Sequence, residues 1–209
     1  MSLKRYIKKA EERRYIRRQV RKTVKLNEHI QKVEEMVLFA LFGAIMYLSA
    51  QIDIVPNVHP LSLFIAAFTV VYRVRALIPI YVYVFLEGFT GGFGLWWYPN
   101  LYIWTVLWLL IMLIPRNINE VAAGVIITLL TTLHGIGFGL LYMPYQCYVF
   151  FKGNWNFAYI WLLNGLPFDT MHAIGNFVSS LLAIPLVMLL SKLSNYQYPF
   201  RRIKTKRNG

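Results

Sequence analysis

Residues 4–51 read KRYIKKAEERRYIRRQVRKTVKLNEHIQKVEE and then MVLFALFGAIMYLSAQ, and the change at Met36 decides the fold. The first stretch carries twelve of the chain's 22 Lys and Arg residues, and the second carries no charge. A charge-free apolar run approaching the roughly 20 residues that cross a bilayer, beginning where a basic run ends, predicts a membrane helix held at the cytoplasmic surface. In lipid the backbone has no water to bond to, so such a run folds as a helix.

The same logic extends outward. The chain has 209 residues, of which 57% are hydrophobic and 15% charged, with a mean hydropathy of +0.48. A soluble domain of this length needs more polar surface than that. The expected architecture is an all-α polytopic membrane protein. Residues 1–34 form a basic cytoplasmic arm, 35–193 a six-helix membrane domain, and 194–209 a basic cytoplasmic tail. In the arm, Tyr6, Ile7, Tyr15, Ile16, Val20 and Val24 recur at roughly helical spacing. That pattern suits a basic amphipathic helix on a membrane surface or a solvated one.

The expected spans are Glu35–Gln51, Leu61–Tyr72, Ala76–Phe89 with a kink at Pro79, Leu101–Ile114, Val121–Tyr142 and Pro167–Leu193. With the N-terminus inside, Arg73, Arg75, Arg116, Lys192 and the tail Arg201–Arg207 all fall on the cytoplasmic side. Only Lys152 falls outside, so 21 of the 22 basic residues are internal. An odd number of spans would export a basic terminus. The net charge of +13 is therefore read as membrane flanks rather than a nucleic-acid surface. One cysteine, Cys147, excludes an internal disulfide, and no Cys/His spacing suggests a metal. The charged first 34 residues do not read as a cleavable signal peptide.

Three outer loops follow from this topology. The first, Ile52–Pro60, is short and polar, with Asn57 and His59. The second, EGFTGGFGLWWYPN (Glu87–Asn100), is rich in Gly and Trp. The third, Gln146–Gly165, is long and aromatic. Aromatic residues at this level serve as an interface belt, and loops this long can also roof an outward-facing cavity.

The sixth span opens Asn164-Gly-Leu-Pro-Phe-Asp169-Thr-Met-His172-Ala-Ile-Gly-Asn176. Pro167 suits the first turn of a helix, where Asp169 would meet the favourable end of the dipole. Asp169, His172 and Asn176 share one helical face, and polar groups inside a span face a cavity or a partner. They form either a wall of a ligand site or an interhelical hydrogen-bond cluster. His134, Gln146, Glu87 beside Tyr83, Trp97, Tyr98, Asn100 and Tyr102 gather toward the same side and are further candidates for ligand contact. No catalytic motif, nucleotide-binding loop or paired-carboxylate arrangement is present, so the expectation is a binding protein and not an enzyme, with no cofactor. In span one, Ala40, Gly43 and Ala44 form a strip of small residues where another helix can approach, within this chain or from a partner.

Six spans in about 160 residues, the Ala-x-x-x-Ala strip, the Gly/Trp-rich outer loop and the Pro-Phe-Asp-x-x-His-Ala-x-Gly-Asn stretch resemble the substrate-binding S components of energy-coupling factor (ECF) vitamin transporters. The resemblance covers residues 35–193; the 34-residue arm is longer than the family pattern. It implies a subunit of the bacterial plasma membrane that captures a vitamin or related micronutrient from outside and delivers it inward. Its partners would be a transmembrane coupling protein and two ATPase subunits, with Ala40 and Ala44 against the coupling protein. The ligand would sit near the outer ends of spans four to six; a heteroaromatic vitamin or precursor of the flavin, pyridoxine or thiamin type suits the aromatic candidates, and pantothenate, cobalamin, folate and a queuosine precursor stay open beside it. Two other readings use the same residues. One is a non-transporting scaffold or assembly factor that recruits partners through its basic arm. The other is an intramembrane lipid enzyme with His172 and Asp169 as acid–base pair.

Overall fold

The absence of Pro and Gly before Gly43 lets one helix, α1, run Leu3–Gln51. The computed structural model describes residues 3–52, 58–194 and 196–201. Asn57, the side chains of Tyr6, Ile7, Tyr15 and Ile16, and the tail beyond Arg201 lie outside the described residues. After α1 come α2 (Leu61–Tyr72), a tight helical turn (Arg73–Ala76), α3 (Leu77–Gly91), α4 (Asn100–Met112), α5 (Glu120–Ile136), α6 (Phe138–Val149), α7 (Trp155–Ser180) and α8 (Ala183–Leu193). The described residues are all-helical apart from turns and one isolated bridge between Asn119 and Arg201.

Among the described residues, three stretches are long and apolar enough to cross a membrane: Thr23–Gln51, Leu61–Gly91 and Glu120–Val149. The pair α7–α8, bent by 54° at its break, would make a fourth. Large apolar side chains such as Leu129, Leu133, Phe177, Val178 and Leu181 are exposed, as a lipid-facing surface requires and a water-facing one does not.

The chain divides into two units, residues 1–41 and 42–209. The first is helical, and its side chains from Lys25 to Glu34 are exposed. The second is built around α2. Every residue of α2 except Phe64 is buried, which is how a helix apolar on all sides must sit. It packs against α8, α4, α7 and α5. Phe42, at the start of this unit, stacks on Phe68 with ring centroids 4.6 Å apart.

Arg73 ends α2 at φ 56° and ψ −121°, the first-corner geometry of a type II′ turn, which a non-glycine residue adopts only when held there. Two bonds hold it: its Nη2 donates to the Met112 carbonyl at 2.7 Å, and Trp108 Nε1 donates to its own carbonyl at 3.1 Å. The same end of the unit gathers the chain after α8. Asn117 N–H donates to Pro199 O and Arg201 N–H to Ile118 O, both at 2.8 Å, while Arg75 donates to the Tyr196 hydroxyl at 2.9 Å.

The structure revises three expectations. Pro79 does not kink its span; it lies in the first turn of α3, and the helical path has already been interrupted at Arg73. The aromatic stretch Gln146–Gly165 is not a loop. It forms most of a hairpin, α6 and the first half of α7, turned at Lys152 and Gly153 with φ 50° and 85°. Pro167 consequently does not open a helix. Asn154 caps α7 instead, its side chain accepting from Asn156 N–H at 3.1 Å and Phe157 N–H at 3.3 Å. Pro167 then falls inside a 26-residue helix, and the dipole argument for Asp169 in its own first turn lapses.

Candidate functional site

The central feature of the site is a break. Around His134 the sequence reads His134-Gly-Ile-Gly-Phe138-Gly139, and the helix stops at Ile136 and restarts at Phe138. Before the break, α5 lies close against α7. A Cβ on Gly135 would stand 2.8 Å from Ala173 Cα, so only glycine permits the approach. After the break, α6 packs on α7 less closely, and a cavity of about 470 Å³ opens between them. That size lies within the usual range of small-molecule sites.

Its walls combine the rings of Phe138, Tyr142, Trp161 and Phe168 with Asn164, Asp169 and His172. Tyr142 and Trp161 face each other with centroids 5.8 Å apart, and Phe138 lies 4.9 Å from the His172 ring. Asp169, only 6% exposed, turns one carboxylate oxygen to the N-terminus of α6, accepting from Gly139 N–H at 3.1 Å. It caps α6 rather than its own helix, an arrangement a helix N-terminus favours electrostatically. Gly139 leaves room for this contact, because a Cβ there would collide with the carboxylate. The other Asp169 oxygen, and both His172 ring nitrogens, take no hydrogen bond among the described residues. Asp169 is the one acidic residue of the cavity wall. Aromatic faces beside one carboxylate can hold a planar ligand by stacking and attract a positive group.

Of the residues expected to bind ligand, the structure brings Asn164, Asp169 and His172 to this cavity. Asn176, 2% exposed, is elsewhere: its Nδ2 donates to the Thr131 carbonyl at 3.0 Å across the α5–α7 seam. His134 lies behind Phe138, with ring centroids 6.1 Å apart, and its Nε2 pairs with Ile103 O at 3.1 Å. Trp97 is a pin, its buried Nε1 donating to the Val84 carbonyl of α3 at 2.8 Å. Glu87 is half-buried on α3, one turn after Tyr83. Tyr98 is exposed beside Trp97, Asn100 is the first residue of α4, and the half-buried Gln146 lies on α6. None of these seven lines the cavity. The strip in α1 is also divided: Gly43 is buried, with Val82 and the Pro79 carbonyl where its Cβ would be. Ala44 is half-buried, and Ala40 alone is exposed.

The residues that sequence reasoning missed are Phe138, Gly139, Tyr142, Trp161 and Phe168. Gly135, Gly137 and Gly139 alternating within an apolar stretch were the available signal, marking a close approach, a break and a backbone contact in succession. The hairpin is tied to its surroundings by Tyr142, whose hydroxyl donates to Trp96 O at 3.1 Å, and by Tyr102, whose hydroxyl donates to Leu141 O at 2.9 Å. The Gly/Trp-rich segment thus borders the α6 wall. Among the described residues no three His, Cys, Asp or Glu side chains group as metal ligands. Compared with known proteins, the chain matches no family model, no curated protein and no solved structure.

Proposed function

We propose that this protein is the substrate-binding membrane subunit of an ECF-type importer, capturing a heteroaromatic micronutrient from outside a bacterial plasma membrane. The observation that carries the reading is the cavity between α6 and α7, with its aromatic walls and single carboxylate. In this reading the chain crosses the membrane six times with both termini cytoplasmic. It counts Leu61–Gly91, a single apolar stretch of 31 residues, as two spans parted at Arg73, where the α-helix is interrupted. In its support, the basic residues Arg73 and Arg75 lie at the end of the unit that gathers the chain after α8, and Arg201 hydrogen-bonds beside Arg116 there.

The chain has no nucleotide-binding loop, so energy comes from partners: a coupling protein and two ATPase subunits. Ala40 and Ala44 are the docking positions proposed for the coupling protein, and the exposure of Ala40 is compatible with this. The test is mass spectrometry of small molecules released from the full-length protein, purified in mild detergent from cells grown in vitamin-rich medium. A near-stoichiometric heteroaromatic compound, lost in Trp161→Ala and His172→Ala, is expected. Lipid alone across several media overturns the reading.

A second reading, a scaffold recruiting partners through the basic arm, is favoured by the exposed charged face of α1 between Lys25 and Glu34. Deleting residues 2–30 separates the two. Ligand capture survives the deletion in the first reading, whereas the second predicts no ligand and loss of the recruited partner.

A further inference from the structure

Behind the cavity wall stand two polar atoms that the fold buries without pairing. Trp104 and His134 are each 4% exposed, and their rings lie 5.7 Å apart. Trp104 Nε1 and His134 Nδ1 have no hydrogen-bond partner among the described residues. Native interiors leave few such atoms unsatisfied, because each forfeits its hydration on burial.

The bond on the other side of the imidazole fixes what kind of pair this is. His134 Nε2 faces the Ile103 carbonyl at 3.1 Å, and a carbonyl can only accept. Nε2 therefore carries the hydrogen, and in the neutral ring Nδ1 is the acceptor. The indole Nε1–H can only donate. The two rings, with centroids 5.7 Å apart, thus carry one unpaired donor and one unpaired acceptor.

Phe138 stands between this pair and the cavity. Its ring lies 5.7 Å from Trp104, 6.1 Å from His134 and 4.9 Å from His172, and it lines the cavity wall. It is the first residue of α6, directly after Gly137.

We infer that Trp104 and His134 form the deep end of the ligand site, taking an edge of the ligand that offers an acceptor and a donor side by side, with Phe138 as the movable partition. The inference rests on the cavity being the ligand site. It narrows the ligand class to a planar ring with an amide-like or amidine-like edge at its buried end, the aromatic walls taking the ring faces.

The test uses the full-length protein in mild detergent, isotope-labelled at Trp and His nitrogens. It is titrated with uracil, whose ring N–H and C=O groups adjoin, and separately with toluene, which has neither. Uracil, and not toluene, is expected to move the Trp104 indole and His134 Nδ1 resonances saturably. Trp104→Phe should weaken uracil binding, read at His172, by about five-fold, the equivalent of one hydrogen bond. Phe138→Ala, which removes the partition, should strengthen the response at both buried resonances. If uracil moves His172 and Trp161 but leaves Trp104 and His134 still, in Phe138→Ala as well, the deep subsite is overturned while the cavity stands. If uracil moves none of the four, in Phe138→Ala as well, a site for an amide-edged ring is overturned, and the small molecules released from the purified protein alone decide the cavity.

Discussion

One helix, α7, faces two neighbours in two ways. Along Ala173 and Asn176 it meets α5 at backbone distance, and the polar group there is spent on a hydrogen bond to Thr131. One turn earlier, along Asp169 and His172, it meets α6 across a cavity. The two neighbours are consecutive in sequence and differ by the break at Ile136–Phe138. The lesson is that a polar residue inside a span becomes structural or ligand-facing according to the spacing of the opposing helix, and glycine placement sets that spacing.

The strongest way to break the comparison is to fill the seam. Gly135→Val puts a branched side chain where a Cβ already lies 2.8 Å from the Ala173 backbone, and backbone cannot rotate aside. The expected loss is about 3 kcal/mol, the upper end of core overpacking. It is measured as a fall in the melting temperature of the detergent-purified protein, or as loss of its monodisperse peak. A variant as stable as the parent would mean that the seam yields and that spacing does not separate the two regions.

Asn176→Leu tests the seam's polar group. Hydrogen bonds between membrane helices average about 0.6 kcal/mol and reach about 1.7, so a loss near 1 kcal/mol is expected in thermal unfolding. Ligand capture should be unchanged. If capture fails while stability holds, Asn176 belongs to the site and the division along α7 is wrong.

These variants also mark what the sequence made legible. The all-helical class and the charge-free stretches followed from composition, because lipid leaves the backbone few alternatives. The start of α2 at Leu61 and its end at Tyr72 were readable, since a short run apolar on all sides is bounded by Pro60 and Arg73. Asp169, His172 and Asn176 were legible as one group because helical spacing unites them, but spacing along one helix does not say which neighbour each residue meets, and Asn176 went to the seam. Half of the cavity was not, because Phe138 and Tyr142 come from another helix, and only three-dimensional packing brings α6 to α7. The expected loop Gln146–Gly165 hid α7's first half, since an aromatic, Lys-Gly-Asn-containing stretch reads as a turn whose extent is not marked. Only the tip, Phe150–Asn154, is one.

Asp169 has two roles on the cavity side, as a cap for α6 and as the cavity's charge, and two substitutions take the roles apart. Asp169→Ala removes the acceptor for Gly139 N–H and should cost about 1 kcal/mol, as for other helix caps, together with ligand capture. Asp169→Asn keeps an oxygen for Gly139 and removes only the charge. It should stay within about 0.5 kcal/mol of the parent while weakening capture of a positively charged ligand. Equal melting-temperature losses in both variants would make the charge, not the acceptor, the stabilising element.

The smallest expected effect sharpens the contrast from the open side. Gly165 also lines the cavity and is helical, yet nothing lies within 4 Å of the Cβ it lacks. Gly165→Ala should therefore stabilise α7 by about 0.5–1 kcal/mol through the lost freedom of the unfolded chain. Gly135 and Gly165 differ in the same way as the regions they border: one glycine is required by a neighbour, and the other has none. Opposite signs of the two melting-temperature shifts are the expected result. A loss at Gly165 would mean that the α6–α7 space is closed in the working protein, and that the cavity opens only when α6 moves away.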